Sequence, residues 1–151
     1  MRAAQAAGVV FRLHEFELPE AAGTEAFPAA LGVPAERVFK TLIARLAGAG
    51  LAVGVIPLPR QLDLKALAAA AGARSAEMAD PRDAERATGY RVGGISPLGQ
   101  KRRLPLYVDA SALDFGTIFV SAGRWGLELE LAPGDLVRAV AATTARIARQ
   151  G

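Results

Sequence analysis

Two apolar-rich runs, residues 38–46 and 51–58, flank the four residues AGAG in between. Runs of this length bounded by glycines predict two strands joined as a hairpin. Upstream, residues 9–18 alternate in part, with Val9, Phe11 and Leu13 on one side, and predict another strand. Residues 24–31 predict a short helix with Thr24 as its cap, Pro28 in its first turn and Gly32 as its stop. Asp63 can cap a helix that runs to Ala71 and ends at Gly72. Asp80 with Pro81 opens another, closed by Gly89, which is the usual asymmetry of helix ends. Residues 106–109, 117–121 and 127–131 predict three more short strands. Leu136, Val140, Thr143 and Ile147 form one stripe and predict a last helix over 133–149.

Short strands mixed with helices, without regular βαβ alternation, define an α+β class. The expected architecture is a mixed twisted β-sheet or a partly closed barrel flanked by helices, rather than a parallel doubly wound sheet. A length of 151 residues fits one domain, large enough to bury roughly 70% of its unfolded surface. With 52% apolar residues the chain is globular and not disordered. No repeat or linker interrupts it.

Composition then removes several chemistries. There is no cysteine, so disulfides, thiolate metal sites and a cysteine nucleophile are all excluded. The single histidine, His14, makes a histidine-based zinc site untenable. The N-terminal residues are broken by Gly8, Arg12 and His14 before a signal-like core develops, and no run reaches membrane-spanning length. A cytoplasmic location is expected. The net charge of +3 permits a nucleic-acid partner without demanding one.

The segment GGISPLGQKRRLP, residues 93–105, places Gly93, Gly94 and Gly99 with Pro97 and Pro105 between apolar runs. Glycine serves where backbone must turn tightly or approach a ligand. The segment therefore reads as a surface loop whose amides can face an oxyanion or a phosphate. Lys101, Arg102 and Arg103 follow at once as the one triple cation cluster, able to contact phosphates. A plain solvated turn would carry the same composition.

Lys40 is the odd residue on a strand face it shares with Val38, Leu42 and Ala44. An ammonium there is costly unless it meets an anion, opens into a pocket, or snorkels along an edge strand. Other motifs fail. GISPLGQK has Gln100 where a phosphate-binding GxxxxGK[ST] loop requires lysine. Ser96 lacks the second glycine of a GxSxG elbow. A Ser–His–Asp triad would have to use His14, on a predicted strand, where a lone histidine reads as structural. Asp80, Asp83 and Glu85 are explained by helix capping and first-turn charge.

Taken together, FRLHEF (11–16), VFKTL (38–42), QLDLK (61–65), EMADPRDAERATGYRVGGISPLGQKRRLP (77–105), VDASAL (108–113) and IFVSAGRWGLELELAPGDL (118–136) resemble the YbaK/EbsC family, in the right order over nearly the whole chain. The subgroup they are most similar to is the free-standing aminoacyl-tRNA deacylases that clear Cys-tRNA(Pro). The resemblance implies a fold related to the editing domain inserted in bacterial prolyl-tRNA synthetases. It also implies cleavage of the aminoacyl ester by hydrolysis or elimination, without metal or organic cofactor. Lys40 stands at the family's principal functional lysine, and Gly93 to Pro97 at its GxxxP loop. Gly94, Ile95 and Ser96 would lend amides to the ester, while Thr41, Ser121 and Gly123 of the VSAG turn would line the same pocket.

Lys101, Arg102, Arg103 and Arg124 would follow the acceptor stem. The implied partners are aminoacyl-tRNA(Pro) and, as a further candidate, prolyl-tRNA synthetase. The absence of cysteine suits a mechanism in which the substrate's own thiol attacks its ester. Two positions depart from the pattern. Phe16 stands where relatives often carry a tyrosine, and Trp125, where many carry a second cation, fits either a tRNA base stack or the core. Release of another small amino acid such as alanine, and a non-catalytic regulatory role, are the alternatives.

Overall fold

Seven consecutive residues, 51–57, are buried, which a strand can achieve only if both of its faces are covered. The reason emerges from the topology. The computed structural model describes residues 1–150. In chain order it has α1 (Arg2–Ala6), β1 (Phe11–Glu15), α2 (Phe27–Leu31), β2 (Phe39–Leu46), β3 (Gly50–Pro57), β4 (Arg60–Leu62), α3 (Leu64–Ala71), β5 (Ala76–Met78) and α4 (Pro81–Thr88). After the glycine loop come β6 (Leu106–Asp109), β7 (Ile118–Arg124), β8 (Leu127–Leu131), α5 (Pro133–Ala139), β9 (Thr143–Ala145) and β10 (Ala148–Gln150).

Five strands form one mixed sheet in the order β5-β2-β3-β6-β9, antiparallel from β5 to β3 and parallel from β3 to β9. A second, antiparallel sheet has the order β1-β8-β7, and β10 pairs with β4. A single parallel bridge, Val38 to Phe119, joins the two larger sheets. Alternation along β3 then explains its double burial. Leu51, Val53 and Val55 enter a core shared with Ile118, Val120, Leu129 and Leu131 of the second sheet, whereas Ala52 and Ile56 pack with Leu67, Tyr107 and Ile147 on the other face. The mixed α+β architecture agrees with the sequence reading, and no closed barrel forms among the described residues.

Local signals hold where local chemistry decides. The AGAG hairpin closes with Leu46 opposite Gly50. Asp63 accepts the Ala66 amide at 3.0 Å and Asp80 the Arg82 amide at 2.8 Å, so both caps are made. Gly32, Gly72 and Gly89 end their helices with φ of 71°, 71° and 81°.

Three expectations need correction. Thr24 is not a cap: it starts a 3₁₀ turn, Thr24–Ala26, ahead of α2. The strand at 9–18 shortens to Phe11–Glu15 and leaves Leu13 exposed, because β1 is the edge of its sheet. The final helix stops at Ala139. Ala141 takes φ 52° and the Ala142 amide reaches back to the Val137 carbonyl at 2.9 Å, a helix-ending turn normally left to glycine. Beyond it, Thr143 and Thr144 pair with β6, and the Asp109 carboxylate accepts the amides of Ile147 and Ala148 at 2.9 and 3.0 Å. Of the stripe, only Leu136 stays helical; Thr143 lies in β9, and Ile147, between β9 and β10, is buried against Leu67 and Tyr107.

Candidate active site

Between β2, α4, the glycine loop and the second sheet lies a cavity of about 320 Å³. Its wall is mostly apolar, with Phe27, Val38, Ile43 and Leu58 among its residues, and five side chains bring polar chemistry into it: Thr24, Lys40, Thr41, Ser121 and Glu128. Lys40 and Thr41 arrive on β2, Ser121 on β7 and Glu128 on β8, where Ser121 and Glu128 are direct cross-strand partners.

Three of these groups are held in an unusual state. Burial lowers the Lys40 ammonium below its ordinary value of 10.5. Glu128 is 2% exposed, and burial pushes its carboxyl up to about 8, so it is largely protonated at neutral pH. The Thr41 hydroxyl is buried without any hydrogen-bond partner. Buried polar groups are otherwise nearly always paired, which sets the Thr41 hydroxyl apart as an unmet donor and acceptor at the wall.

Behind this wall stands a satisfied network. Glu130, two residues on from Glu128, accepts from His14 at 2.8 Å, from Arg37 at 3.1 Å and from Thr117 at 2.6 Å. The Thr117 hydrogen bond is the main reason its carboxyl lies below the ordinary range, with His14 and Arg37 adding to it. The Phe119 ring lies between His14, edge-on at 5.2 Å, and the Arg37 guanidinium at 5.0 Å. His14 is thus a structural residue of this network.

The glycine loop is built inward more than outward. Gly93 and Ile95 line the cavity. Ser96 is fully buried behind them, its hydroxyl accepting the Leu98 amide at 3.2 Å and its carbonyl accepting from Gln100 at 3.1 Å. Pro97 is buried there too, and neither it nor Ser96 reaches the wall. The Gly94 amide is spent on the Arg91 carbonyl at 2.9 Å, so Gly94 is not a donor to a ligand. Its role is steric: a Cβ there would meet the Arg124 backbone at 3.1 Å.

The VSAG segment is not a turn but part of β7, where a register shift between Ser121 and Arg124 makes a bulge. Gly123 sits in that bulge at φ 116°, against the Tyr90 ring and outside the cavity wall. Phe16 is also outside it. Its ring packs edge-on at 5.0 Å against Phe27, which does line the cavity, and Phe27 packs at 4.8 Å against Trp125. The Trp125 indole donates to the Leu18 carbonyl at 2.6 Å, which makes it a packing residue.

The cation cluster lies elsewhere. Lys101 and Arg102 donate their amides to Thr88 and Ala87, at the end of α4 remote from Pro81, and all three cations are exposed outside the cavity wall. Arg124 is ion-paired with Glu15. Sequence reasoning therefore missed Glu128, Phe27, Met78 and Val92 as wall residues. The alternation of Leu127–Leu131 did place Glu128 opposite the core leucines, but nothing local says that this second face is covered.

Comparison with known proteins agrees with this picture. Residues 18–139 match the family model of the aminoacyl-tRNA editing domain. EbsC of Enterococcus faecalis, provisionally named a Cys-tRNA(Pro)/Cys-tRNA(Cys) deacylase, is 40% identical over 88% of this chain and 82% of its own. The crystal structure of hypothetical protein APE2540 superposes with a TM-score of 0.87 at 30% identity, covering 97% of this chain and 96% of that one. A crystal structure described provisionally as a trans-editing enzyme for prolyl tRNA synthetase has a TM-score of 0.86 at 22% identity over 98% and 93%, which shows the shared fold. The chain belongs to the aminoacyl-tRNA editing domain family, the family its motifs resemble.

Proposed function

We propose that this protein is a trans-editing deacylase that clears mischarged Cys-tRNA(Pro) by cleaving the aminoacyl ester. The observation that carries the reading is the cavity wall itself: a desolvated ammonium, an orphan hydroxyl and a buried carboxyl converge in an apolar chamber. Lys40 holds the ester carbonyl or the ribose oxygen. Thr41, Ser121 and Glu128 receive the α-amino group and fix its orientation. Phe27, Val38 and Leu58 surround a small side chain.

In the thiol-assisted route the cysteinyl sulfur attacks its own ester carbonyl carbon. The carbon–oxygen bond to the ribose then breaks, and the thiol proton passes to the departing ribose oxygen. Water opens the resulting thiolactone to free cysteine. The oxyanion formed on the way is within the province of Lys40 and of the amides of Gly93 and Ile95, the loop residues that line the cavity. A donor of this kind contributes about 3 kcal/mol. The protein contributes position and charge, and no nucleophile of its own is required.

The test is deacylation of Cys-tRNA(Pro), Cys-tRNA(Cys), Ala-tRNA(Pro) and Pro-tRNA(Pro), with wild type beside Lys40→Ala, each with and without prolyl-tRNA synthetase. Cleavage of Cys-tRNA(Pro) that the substitution abolishes is expected. Preference for the alanyl ester would transfer the reading to that substrate. No cleavage of any ester would leave a binding module.

A further inference from the structure

The exposed part of the cavity wall is apolar. Of the residues in its wall, Met78, Pro81, Val92 and Gly93 are the exposed ones. Met78 is 48% exposed at the end of edge strand β5, and Val92 is 57% exposed in the loop after α4. Pro81 begins α4 close after Met78, and the Val92 amide donates at 2.8 Å to the side chain of Glu85, one helical turn from Pro81. The three residues line the same cavity and are exposed, so together they make an apolar shelf at its mouth. Exposed apolar surface next to a cavity marks a place where something binds.

The cations around this shelf differ in an informative way. Arg45 and Arg86 are both compensated by Asp83. Arg82, beside Pro81, and Arg91, beside Val92, are exposed and join no ion pair among the described residues. The surface thus offers apolar faces flanked by free positive charge, which suits a nucleotide: a flat base with phosphates attached.

We infer that Met78, Pro81 and Val92 bind the 3′-terminal base of the tRNA, with Arg82 and Arg91 meeting the adjoining phosphates. The inference rests on the deacylase reading for its chemistry. The ester joins the amino acid to the terminal ribose, so an aminoacyl group in the cavity leaves that ribose at the mouth. The base must then lie just outside, where the shelf is. The acceptor end is in this way engaged by Arg82 and Arg91 before Lys101 to Arg103 are reached.

The experiment compares binding of two short single-stranded RNAs, one ending in adenosine and one with an abasic 3′ end, to wild type and to Met78→Gln/Val92→Thr. Covering roughly 50 Å² of the base with apolar side chains gives about ten-fold in Kd, so wild type should prefer the adenosine end by about that factor. The double variant should bind both RNAs alike. Each single substitution should reduce the preference about three-fold, which keeps the test readable if the double variant unfolds. Wild type without a preference, or variants that retain it, would overturn the shelf. The ester-cleavage assay is independent of this one: loss of deacylation in wild type with the preference intact would sink the reading of the reaction and leave the base site standing.

Discussion

Glu128 and Glu130 lie on the same face of β8, and their carboxyls are held in opposite ways. Glu128 is buried in the cavity wall and is pushed up to about 8, whereas Glu130 is lowered by Thr117, His14 and Arg37. One carboxyl lines the cavity; the other braces the sheet behind it.

This arrangement predicts a pH dependence of stability. Glu128 binds its proton more tightly folded than unfolded, so the stability it contributes is full below 4.5 and is lost as pH rises to about 8. The loss is at most about 1.4 kcal/mol per pH unit. Glu128→Gln should flatten the denaturation midpoint between pH 5 and 8, in urea titrations over roughly that range. A midpoint that still falls with pH would mean that another group is responsible.

Glu130 predicts the opposite limb. Its lowered carboxyl contributes stability above 4.5 that disappears as pH falls through its folded value. Glu130→Gln removes the charge that Arg37 and His14 face. It should cost about 1–3 kcal/mol at neutral pH and little under strongly acid conditions. Chemical denaturation at the two pH values decides this.

Gly94→Ala should damage the site without touching a polar group. The added methyl would sit 3.1 Å from the Arg124 Cα, a backbone atom that cannot swing aside. Overpacking of this kind costs about 1–3 kcal/mol. Thermal unfolding should report that loss, and deacylation should fall with it because Gly93 and Ile95 move with the loop.

Lys40→Met separates function from stability. Burial lowers the Lys40 ammonium, so the folded chain gains stability as pH rises towards 10.5, where the unfolded lysine also loses its proton. An apolar side chain of similar length removes that desolvation cost. The variant should therefore have a higher Tm than wild type at pH 7, a smaller difference at pH 10, and no deacylase activity. A lower Tm at pH 7 would show that Lys40 is stabilised by a contact in the free protein.

What the sequence determined by itself was whatever a few neighbouring residues can settle. The Asp63 and Asp80 caps, the glycine stops, the hairpin at AGAG and the α+β class depend on hydrogen bonds and steric freedom within one turn or one strand pair. Lys40 was legible for the same reason, as a charge out of place on its own strand. The tertiary structure decided the rest. The end of the chain reads as a helix by its stripe, yet β6 and the Asp109 carboxylate claim it as strand. The glycine loop reads as open to a ligand, yet the Gly94 amide closes a turn on the Arg91 carbonyl, and packing buries Ser96 and Pro97. Nothing in the sequence singles out Glu128, which becomes a cavity residue only because β2 and the loop cover that face of β8. Burial is set by what lies on the other side of a residue, and that neighbour here comes from tens of residues away along the chain.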